Sequence, residues 1–254
     1  MIPIKSQREI ALMREAGKIV AESLRLAELA IEPGIATEML ESIIFKNIAK
    51  YGAKPSFLGY RGFPASACIS VNEELIHGIP GKRKLREGDI VSIDVGVFHN
   101  GFHADSSATF PVGEISPQAQ LLIDVTRQSF YKSLLFCRVG NRIGDIGKAI
   151  GTYACQHGFS VVEMFTGHGV GASLHEEPEV PSNFTGKRGS RMASGMTLAI
   201  EPMLVAGSNP DVEVSKHDGW TVTSISGNLT AHYEHTVLIT ENEPELLTAQ
   251  EGEP

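Results

Sequence analysis

The sequence predicts an α+β fold of two similar halves, each with a pair of helices followed by strands. Three observations predict this class: helical periodicity occurs in two pairs of segments, a long antiparallel hairpin follows the first pair, and glycines recur at a fixed offset. A chain of 254 residues with 42% hydrophobic residues can bury a large core. We therefore expect one domain over residues 1–254, with halves at about 1–115 and 116–245 and an acidic C-terminal tail at about 241–254.

The first helix pair lies at the N-terminus. Ser6-Gln-Arg-Glu9 has the pattern of a capping box, and apolar residues follow it at three-to-four spacing, which predicts an amphipathic helix. Pro33-Gly34 ends this helix. A second helix begins near Thr37, its expected N-cap, and ends at Gly52.

The second half repeats this organisation. Ser116-Pro117, an N-cap followed by proline at the first helical position, begins a helix that runs to about residue 137, and another helix covers about 143–157. An offset of 106 positions relates the glycines at the helix boundaries, Gly34 and Gly52 in the first half and Gly140 and Gly158 in the second. This repeat predicts two halves packed as one domain, with a site where they meet.

The strongest turn signal in the chain is Asn100-Gly101, which two β-prone runs flank over residues 90–111. With a two-residue turn there, Asp94 pairs with Ser107, and Asp105 is the diagonal neighbour of Asp94 on the same face. Two carboxylates directed to one point repel each other unless a cation or a proton neutralises them. Taken alone, the pair fits equally well with ordinary aspartates on a solvated sheet face.

Three further polar residues occupy unusual positions in the second half. Glu201 follows an apolar run and precedes Pro202, so it ends a buried strand, where a lone carboxylate is costly. Glu234 precedes the apolar run 237–239, and His168 lies between two glycines that leave room around its ring. Each taken singly also fits a strand end facing water or a structural turn histidine.

Together these residues form a candidate metal site. Four carboxylates and one imidazole, with no thiolate, suit Mn²⁺, Fe²⁺, Co²⁺ or Zn²⁺, and two divalent ions would cancel the carboxylate charge. Two such ions about 3.5–4 Å apart bind a bridging water, lower its pKa and polarise a carbonyl group. The sequence therefore predicts hydrolase chemistry at Asp94, Asp105, His168, Glu201 and Glu234.

Other features of the chain disfavour several classes of protein. A net charge of −8 and a pI near 5.6 give no electrostatic footprint for nucleic acid or an anionic membrane. Three cysteines without a C-x-x-C pair predict reduced thiols, and the chain shows neither a signal peptide nor a spanning segment, so we expect a cytoplasmic protein. The glycines around His168 lack the context of a dinucleotide site, and His175-Glu-Glu lacks the spacing of a zincin helix.

Short runs distributed over nearly the whole chain resemble type I methionine aminopeptidases. They are Gly62-Phe63-Pro, Cys68-Ile-Ser-Val-Asn72, His77-Gly-Ile-Pro80, Ile93-Asp94-Val with Asp105 eleven positions on, Gly167-His168-Gly-Val-Gly171, His175-Glu-Glu-Pro178, Ile200-Glu201-Pro-Met203, Asp218-Gly219-Trp220-Thr221 and Tyr233-Glu234-His235-Thr236. The resemblance implies the pita-bread fold, in which two pseudo-symmetric halves form a curved antiparallel sheet covered by two helix pairs. It also implies removal of the N-terminal methionine from nascent polypeptides whose second residue is small.

The resemblance assigns a role to each candidate ligand. Asp105 and Glu234 would bridge two metal ions. Asp94 would complete the coordination of one ion, and His168 with Glu201 that of the other. Glu201 would also accept the proton of the bridging water as the general base.

The resemblance also assigns substrate-binding residues. His175 would stabilise the oxyanion, and His77 would contact the scissile amide and either position it or protonate the leaving group. A simpler role for His77, capping the turn before Gly78, stays open. The methionine side chain would lie against apolar and aromatic walls formed by Phe57, Tyr60, Phe63, Cys68, Leu174 and Trp220.

Three positions depart from the best-known bacterial pattern of this family. Phe57 stands where a cysteine is often found, and Leu174 stands where a phenylalanine often precedes the histidine. Both keep the pocket apolar, so we expect an altered pocket shape and an unchanged preference for methionine. His232 stands where a glutamine is common, and we expect it to alter the hydrogen bonds near Glu234.

Two alternatives to this activity are open at the level of sequence. An Xaa-Pro aminopeptidase or prolidase has the same fold but usually carries a large extra N-terminal domain. A non-catalytic binding module of this fold usually loses metal ligands. As partners we expect nascent polypeptide N-termini and a transient ribosome contact, with no nucleic acid or membrane binding, and we expect a monomer.

Overall fold

The structure is a computed structural model that describes residues 2–250 and 252. In this part of the chain the helices are α1 (Gln7–Leu29), α2 (Thr37–Lys50), α3 (Pro117–Leu134), α4 (Ile143–Gln156) and a short 3-10 helix, Tyr60–Gly62. The strands are β1 (Lys54–Pro55), β2 (Cys68–Val71), β3 (Glu74–Ile76), β4 (Ile90–His99), β5 (Phe102–Pro111), β6 (Phe159–Val161), β7 (Gly167–Gly169), β8 (Glu176–Val180), β9 (Thr197–Ile200), β10 (Met203–Ala206), β11 (Val212–Val214), β12 (Val222–Ser224), β13 (Thr230–His232), β14 (Glu234–Leu238) and β15 (Glu245–Leu246).

The first two helices begin in different ways. Ser6 and Glu9 form the predicted capping box of α1, in which the Ser6 backbone N–H donates to the Glu9 carboxylate at 2.7 Å. The predicted N-cap of α2 is wrong, because Ala36 holds that position and Thr37 is the first helical residue. The Thr37 hydroxyl is directed to another segment, where it accepts from the N–H of Gly81 at 2.8 Å.

The hairpin of β4 and β5 has the predicted register. Asp94 pairs with Ser107 across the two strands, so Asp94 and Asp105 lie on one face of adjacent strands. Asn100 and Gly101 form the turn with φ values of 50° and 91°, as a two-residue hairpin turn of this kind requires.

The strands of the two halves join in one sheet. Among the described residues this sheet has nine antiparallel strands in the order β1-β4-β5-β14-β9-β7-β8, with β2 beside β4 and β15 beside β14. Two smaller sheets have the orders β13-β10-β6 and β11-β12-β3. Strand β14 lies between β5 of the first half and β9 of the second, since His235 pairs with both Ser106 and Ile200.

Each helix pair packs on its own set of strands. Helices α1 and α2 share a buried cluster with β2, β4 and β5, whereas α3 and α4 share one with β6, β9, β10 and β14. Ala108 of β5 packs against both clusters, so the two cores meet there. In the part of the chain that the structure describes, no helix is both long and apolar enough to cross a membrane.

The C-terminal region contains an element that the sequence analysis did not predict. Strand β15 pairs with β14, and Leu247 is buried against α1. The Thr248 hydroxyl accepts from the N–H of Thr236 at 3.1 Å. Residues 251, 253 and 254 of the expected acidic tail lie outside the described residues.

Candidate metal centre

Five successive strands of the main sheet bring the candidate ligands together. Their order is β4, β5, β14, β9 and β7, and each strand, or its end, supplies one side chain. The ligands and all the expected substrate-binding residues line one cavity of about 350 Å³. These residues are Asp94, Asp105, His168, Glu201 and Glu234, together with Phe57, Tyr60, Phe63, Cys68, His77, Leu174, His175 and Trp220.

The inner part of this cavity has the geometry of a metal site. One potential donor atom from each of Asp105, His168 and Glu234 lies within 4.8 Å of the others. His168 Nε2 is 3.6 Å from Glu201 Oε1. The Nδ1 of His168 is 2.8 Å from the carbonyl oxygen of Gly169, so Nδ1–H donates there and the Nε2 lone pair faces the carboxylates.

Three of the carboxylates each have one oxygen atom that is buried and, in the described part of the chain, unpartnered. Asp94 Oδ1, Asp105 Oδ1 and Glu234 Oε1 have no hydrogen-bond partner among the described residues. Burial raises the pKa of Asp105 to about 7. Burial and repulsion from neighbouring carboxylates raise the pKa values of Asp94, Glu201 and Glu234 well above their usual range. Unpaired oxygens in this setting fit divalent cations, which oxygen-rich donor sets bind.

The imidazole rings around the carboxylates are neutral at pH 7. Burial lowers the pKa of His168 to about 3 and that of His77 to about 4, and burial also lowers the pKa of His175. The rings of His175 and His168 are in contact, with centroids 4.1 Å apart. The hydroxyl of Tyr60 lies 2.9 Å from His175 Nδ1.

An apolar pocket adjoins the carboxylates. Phe57, Phe63, Cys68 and Leu174 form a buried cluster against which Trp220 packs. Phe63 and Trp220 meet edge to face with ring centroids 5.2 Å apart. The cluster offers an unbranched apolar side chain an apolar, partly aromatic surface next to the candidate metal centre.

The cavity also has lining residues that the sequence analysis missed. Ile76 and the pair Phe165-Thr166 are sequence neighbours of His77 and of the Gly167-His168 turn, so adjacency along the chain could have identified them. Arg61 lies in the short 3-10 helix directly after Tyr60 and could have been identified in the same way, whereas Met164 lies outside the helices and strands and is adjacent to no expected site residue.

His232 has a different neighbour from the expected one. Its Nε2 lies 3.7 Å from Glu201 Oε2, whereas the sequence predicts an effect near Glu234. Strand β13 pairs with β10, which starts two residues after Glu201, and this pairing directs the ring to Glu201.

Comparison with known proteins identifies the family of this chain. The chain matches the model of metallopeptidase family M24 over residues 11–241, and it therefore belongs to this family. Within the family it belongs with the methionine aminopeptidases. It is 51% identical over 248 residues to the methionine aminopeptidase of Clostridium perfringens, with 98% of this chain and 99% of the relative covered.

Solved structures give the same assignment. The crystal structure of the methionine aminopeptidase of Thermotoga maritima has a TM-score of 0.95 and 42% identity, covering 98% of this chain and 100% of that one. The prolidase of Pyrococcus furiosus has a TM-score of 0.80 at 22% identity, covering 98% of this chain and 66% of that one, and it shows the fold alone. The pita-bread fold and the metallopeptidase class predicted from the sequence are thus confirmed.

Proposed function

We propose that this protein hydrolyses the peptide bond after the N-terminal methionine of nascent polypeptides whose second residue is small. The observation that carries the proposal is the convergence of five candidate metal ligands beside an apolar pocket within one cavity. Full-length relatives named methionine aminopeptidase support the choice of substrate. A methionine side chain is unbranched and polarisable, which suits aromatic walls.

Two divalent ions, chosen among Mn²⁺, Fe²⁺, Co²⁺ and Zn²⁺, would be held by the five ligands. When bound, these ions supply a water of lowered pKa and polarise the scissile carbonyl. The four buried carboxylates support two ions, because a single divalent ion would leave half of their charge uncompensated. The five ligands are Asp94, Asp105, His168, Glu201 and Glu234.

The protein's own groups then carry the proton transfers and the positioning. Glu201 accepts a proton from the attacking water, because its buried carboxylate has a raised pKa and is a stronger base than an exposed one. His175 donates from Nε2 to the oxygen of the scissile carbonyl, since the Tyr60 hydroxyl can donate to Nδ1 and leave the proton on Nε2. His77 contacts the scissile amide.

The substrate assignment can be tested against the prolidase-type alternative. Purified protein loaded with each of the four metals should cleave Met-Ala-Ser and leave Ala-Pro-Ala intact. Cleavage of Ala-Pro-Ala alone would overturn the assignment.

The metal assignment has a separate test. Asp105→Ala should lower metal-dependent turnover by ~10²-fold or more and leave the circular dichroism spectrum unchanged. Asp211→Ala removes an exposed carboxylate outside the cavity and should keep full activity. Unchanged turnover of the Asp105 variant would contradict the bridging role.

The proposed substrate also bears on location and partners. Nascent chains carry their initiating methionine in the cytoplasm, so we place the enzyme there, acting as a monomer. A transient contact with the ribosome would bring the cavity to such N-termini, and peptide turnover alone does not require it.

A further inference from the structure

Glu201 lies between two imidazole rings. Its Oε1 is 3.6 Å from Nε2 of His168, and its Oε2 is 3.7 Å from Nε2 of His232. His232 is only 2% exposed, and its Nε2 has no hydrogen-bond partner among the described residues. A buried polar nitrogen without a partner is costly, so its direction towards Glu201 requires an explanation.

The backbone holds His232 firmly in this place. The Thr109 hydroxyl lies 2.9 Å from both the backbone N–H and the carbonyl oxygen of His232, bonding both. The next residue, Tyr233, donates its N–H to the carbonyl oxygen of Pro202 at 3.3 Å. Since Pro202 directly follows Glu201, the corner between β13 and β14 lies against the corner between β9 and β10.

The two rings present opposite hydrogen-bonding character to the carboxylate. His168 donates from Nδ1 to a backbone carbonyl, so its Nε2 carries a lone pair. His232 has Nε2 directed at a carboxylate oxygen, where a donor is favoured. Within the described residues, Glu201 supplies the carboxylate oxygen that lies within 4.0 Å of His232. Their 3.7 Å separation becomes a hydrogen bond when it shortens by about half an ångström or more.

We propose that His232 is a positioning residue for Glu201, donating Nε2–H to Oε2 and so directing Oε1 to the metal centre. This inference rests on the proposed role of Glu201 as a ligand and general base. His232 touches neither substrate nor the reacting atoms in this role. It restricts the carboxylate to one orientation, and such restraint strengthens metal binding and proton transfer together.

The test uses two full-length variants of similar side-chain size. His232→Gln keeps an N–H donor, and His232→Met removes it while filling the same space. Isothermal titration of the metal-free proteins with Mn²⁺ should show ~10- to 100-fold weaker binding for His232→Met and near wild-type binding for His232→Gln. The visible absorption of the Co²⁺-loaded proteins should change in His232→Met alone, and kcat should fall while KM for Met-Ala-Ser stays within about twofold of wild type.

Met203 provides a matched control, because it pairs with His232 across the strands and is fully buried. Met203→Leu should leave Mn²⁺ affinity and the Co²⁺ spectrum unchanged. If His232→Met does not fold, His232→Leu replaces it, and melting temperatures identify such a loss. In a Glu201→Ala background the effect of His232→Met on Mn²⁺ affinity should disappear.

Two results would overturn the inference. Wild-type Mn²⁺ affinity and Co²⁺ spectrum in His232→Met would show that the ring does not orient Glu201. Equal defects in His232→Gln and His232→Met would show that the ring itself, and not its N–H donor, is required. Metal titration needs no peptide substrate, so failure to cleave Met-Ala-Ser would contradict the proposed function and leave this test intact.

Discussion

We expect the hydroxyl of Tyr60 to determine which nitrogen of His175 carries the proton. A neutral imidazole carries a single proton, and a stabiliser of the oxyanion must present that proton to the substrate. Tyr60 lies 2.9 Å from Nδ1, and its ring stacks on His175 with centroids 5.3 Å apart. The stacking restrains the ring, and a Tyr60 hydroxyl that donates to Nδ1 leaves the proton on Nε2.

Tyr60→Phe tests this selection, because it removes the hydroxyl and keeps the ring. We expect kcat for Met-Ala-Ser to fall by about 2- to 10-fold, the equivalent of one hydrogen bond of about 0.5–1.5 kcal/mol. KM should stay within about twofold of wild type. In a His175→Ala background the same substitution should have no effect, and an equal loss in both backgrounds would refute the coupling.

The sequence predicts the positions and roles of some site residues and not of others. The position of Asp94 beside Asp105 follows from the hairpin turn alone, because a two-residue loop determines the register. The roles of Glu201 and Glu234 depend on the family resemblance, since a carboxylate at a strand end has several explanations. The contact of His232 with Glu201 could not be predicted, because it depends on how two strand corners pack in space.

At the scale of elements, helix α4 is unusual in carrying three glycines on a buried face. A glycine inside a helix costs about 1 kcal/mol relative to alanine, so the sequence alone offers no reason for them. The structure supplies one, because residues 181–188 pass against the helix. A Cβ atom added at Gly144 would lie 2.6 Å from the carbonyl oxygen of Lys187, and one added at Gly147 would lie 2.4 Å from that of Pro181. A Cβ atom added at Gly151 would lie 2.3 Å from the side-chain oxygen of Asn183.

Gly147→Ala should therefore destabilise the protein despite the higher helix propensity of alanine. The new Cβ meets the carbonyl oxygens of Pro181 and Asn183, which are backbone atoms, and overpacking of this kind costs ~1–3 kcal/mol. Thr152→Ala, at an exposed position of the same helix, should be neutral or slightly stabilising. Urea unfolding measures both, and equal stability of the Gly147 variant and wild type would contradict the close approach.

The C-terminal strand is an element that sequence periodicity cannot predict. Strand β15 has two residues, Glu245 and Leu246, which is too short for alternation to register. Its stability comes from tertiary contacts. These contacts are the pairing with β14, the burial of Leu247 and a bidentate ion pair between Glu245 and Arg14 of α1. Such contacts link distant parts of the chain, and only the folded structure shows them.

At the scale of the whole molecule, the two halves are joined at a sheet that carries unfavourable charge. Strand β14 lies between β5 and β9, so the strands that hold the two cores together are the strands that supply the carboxylates. In the metal-free protein this junction buries four carboxyl groups with raised pKa values. The stability of the fold and the loading of the site are therefore linked.

The direction in which stability changes with pH follows from the number of protons bound by the folded and the unfolded state. A carboxyl group with a raised pKa holds a proton in the folded state and loses it in the unfolded state, so stability falls as pH rises towards the folded pKa. Below about pH 7.5 the buried histidines oppose this trend, because an unfolded histidine releases its proton around pH 6.5 whereas the folded pKa values lie lower, so the histidine contribution to stability rises with pH. Above about pH 7.5 the histidines are almost entirely neutral in both states, and the carboxyl groups determine the slope.

We therefore expect the metal-free protein to lose stability between about pH 7.5 and 8.5. Each carboxyl group that is still protonated in the folded state lowers the free energy of unfolding by up to about 1.4 kcal/mol per pH unit. Asp105 stops contributing to this slope above its pKa of about 7. Mn²⁺ or Co²⁺ should reverse the trend. At a free concentration 100-fold above Kd, the metal should add about 2.7 kcal/mol to the free energy of unfolding. This gain should increase with pH, because metal binding displaces protons from the carboxyl groups. Urea unfolding at pH 6.5, 7.5 and 8.5, with chelator or with metal, measures both slopes.

Asp105→Asn should show a shallower dependence of stability on pH near pH 7 in the absence of metal. Parallel slopes with and without metal would contradict a charge-compensating site at the junction of the halves.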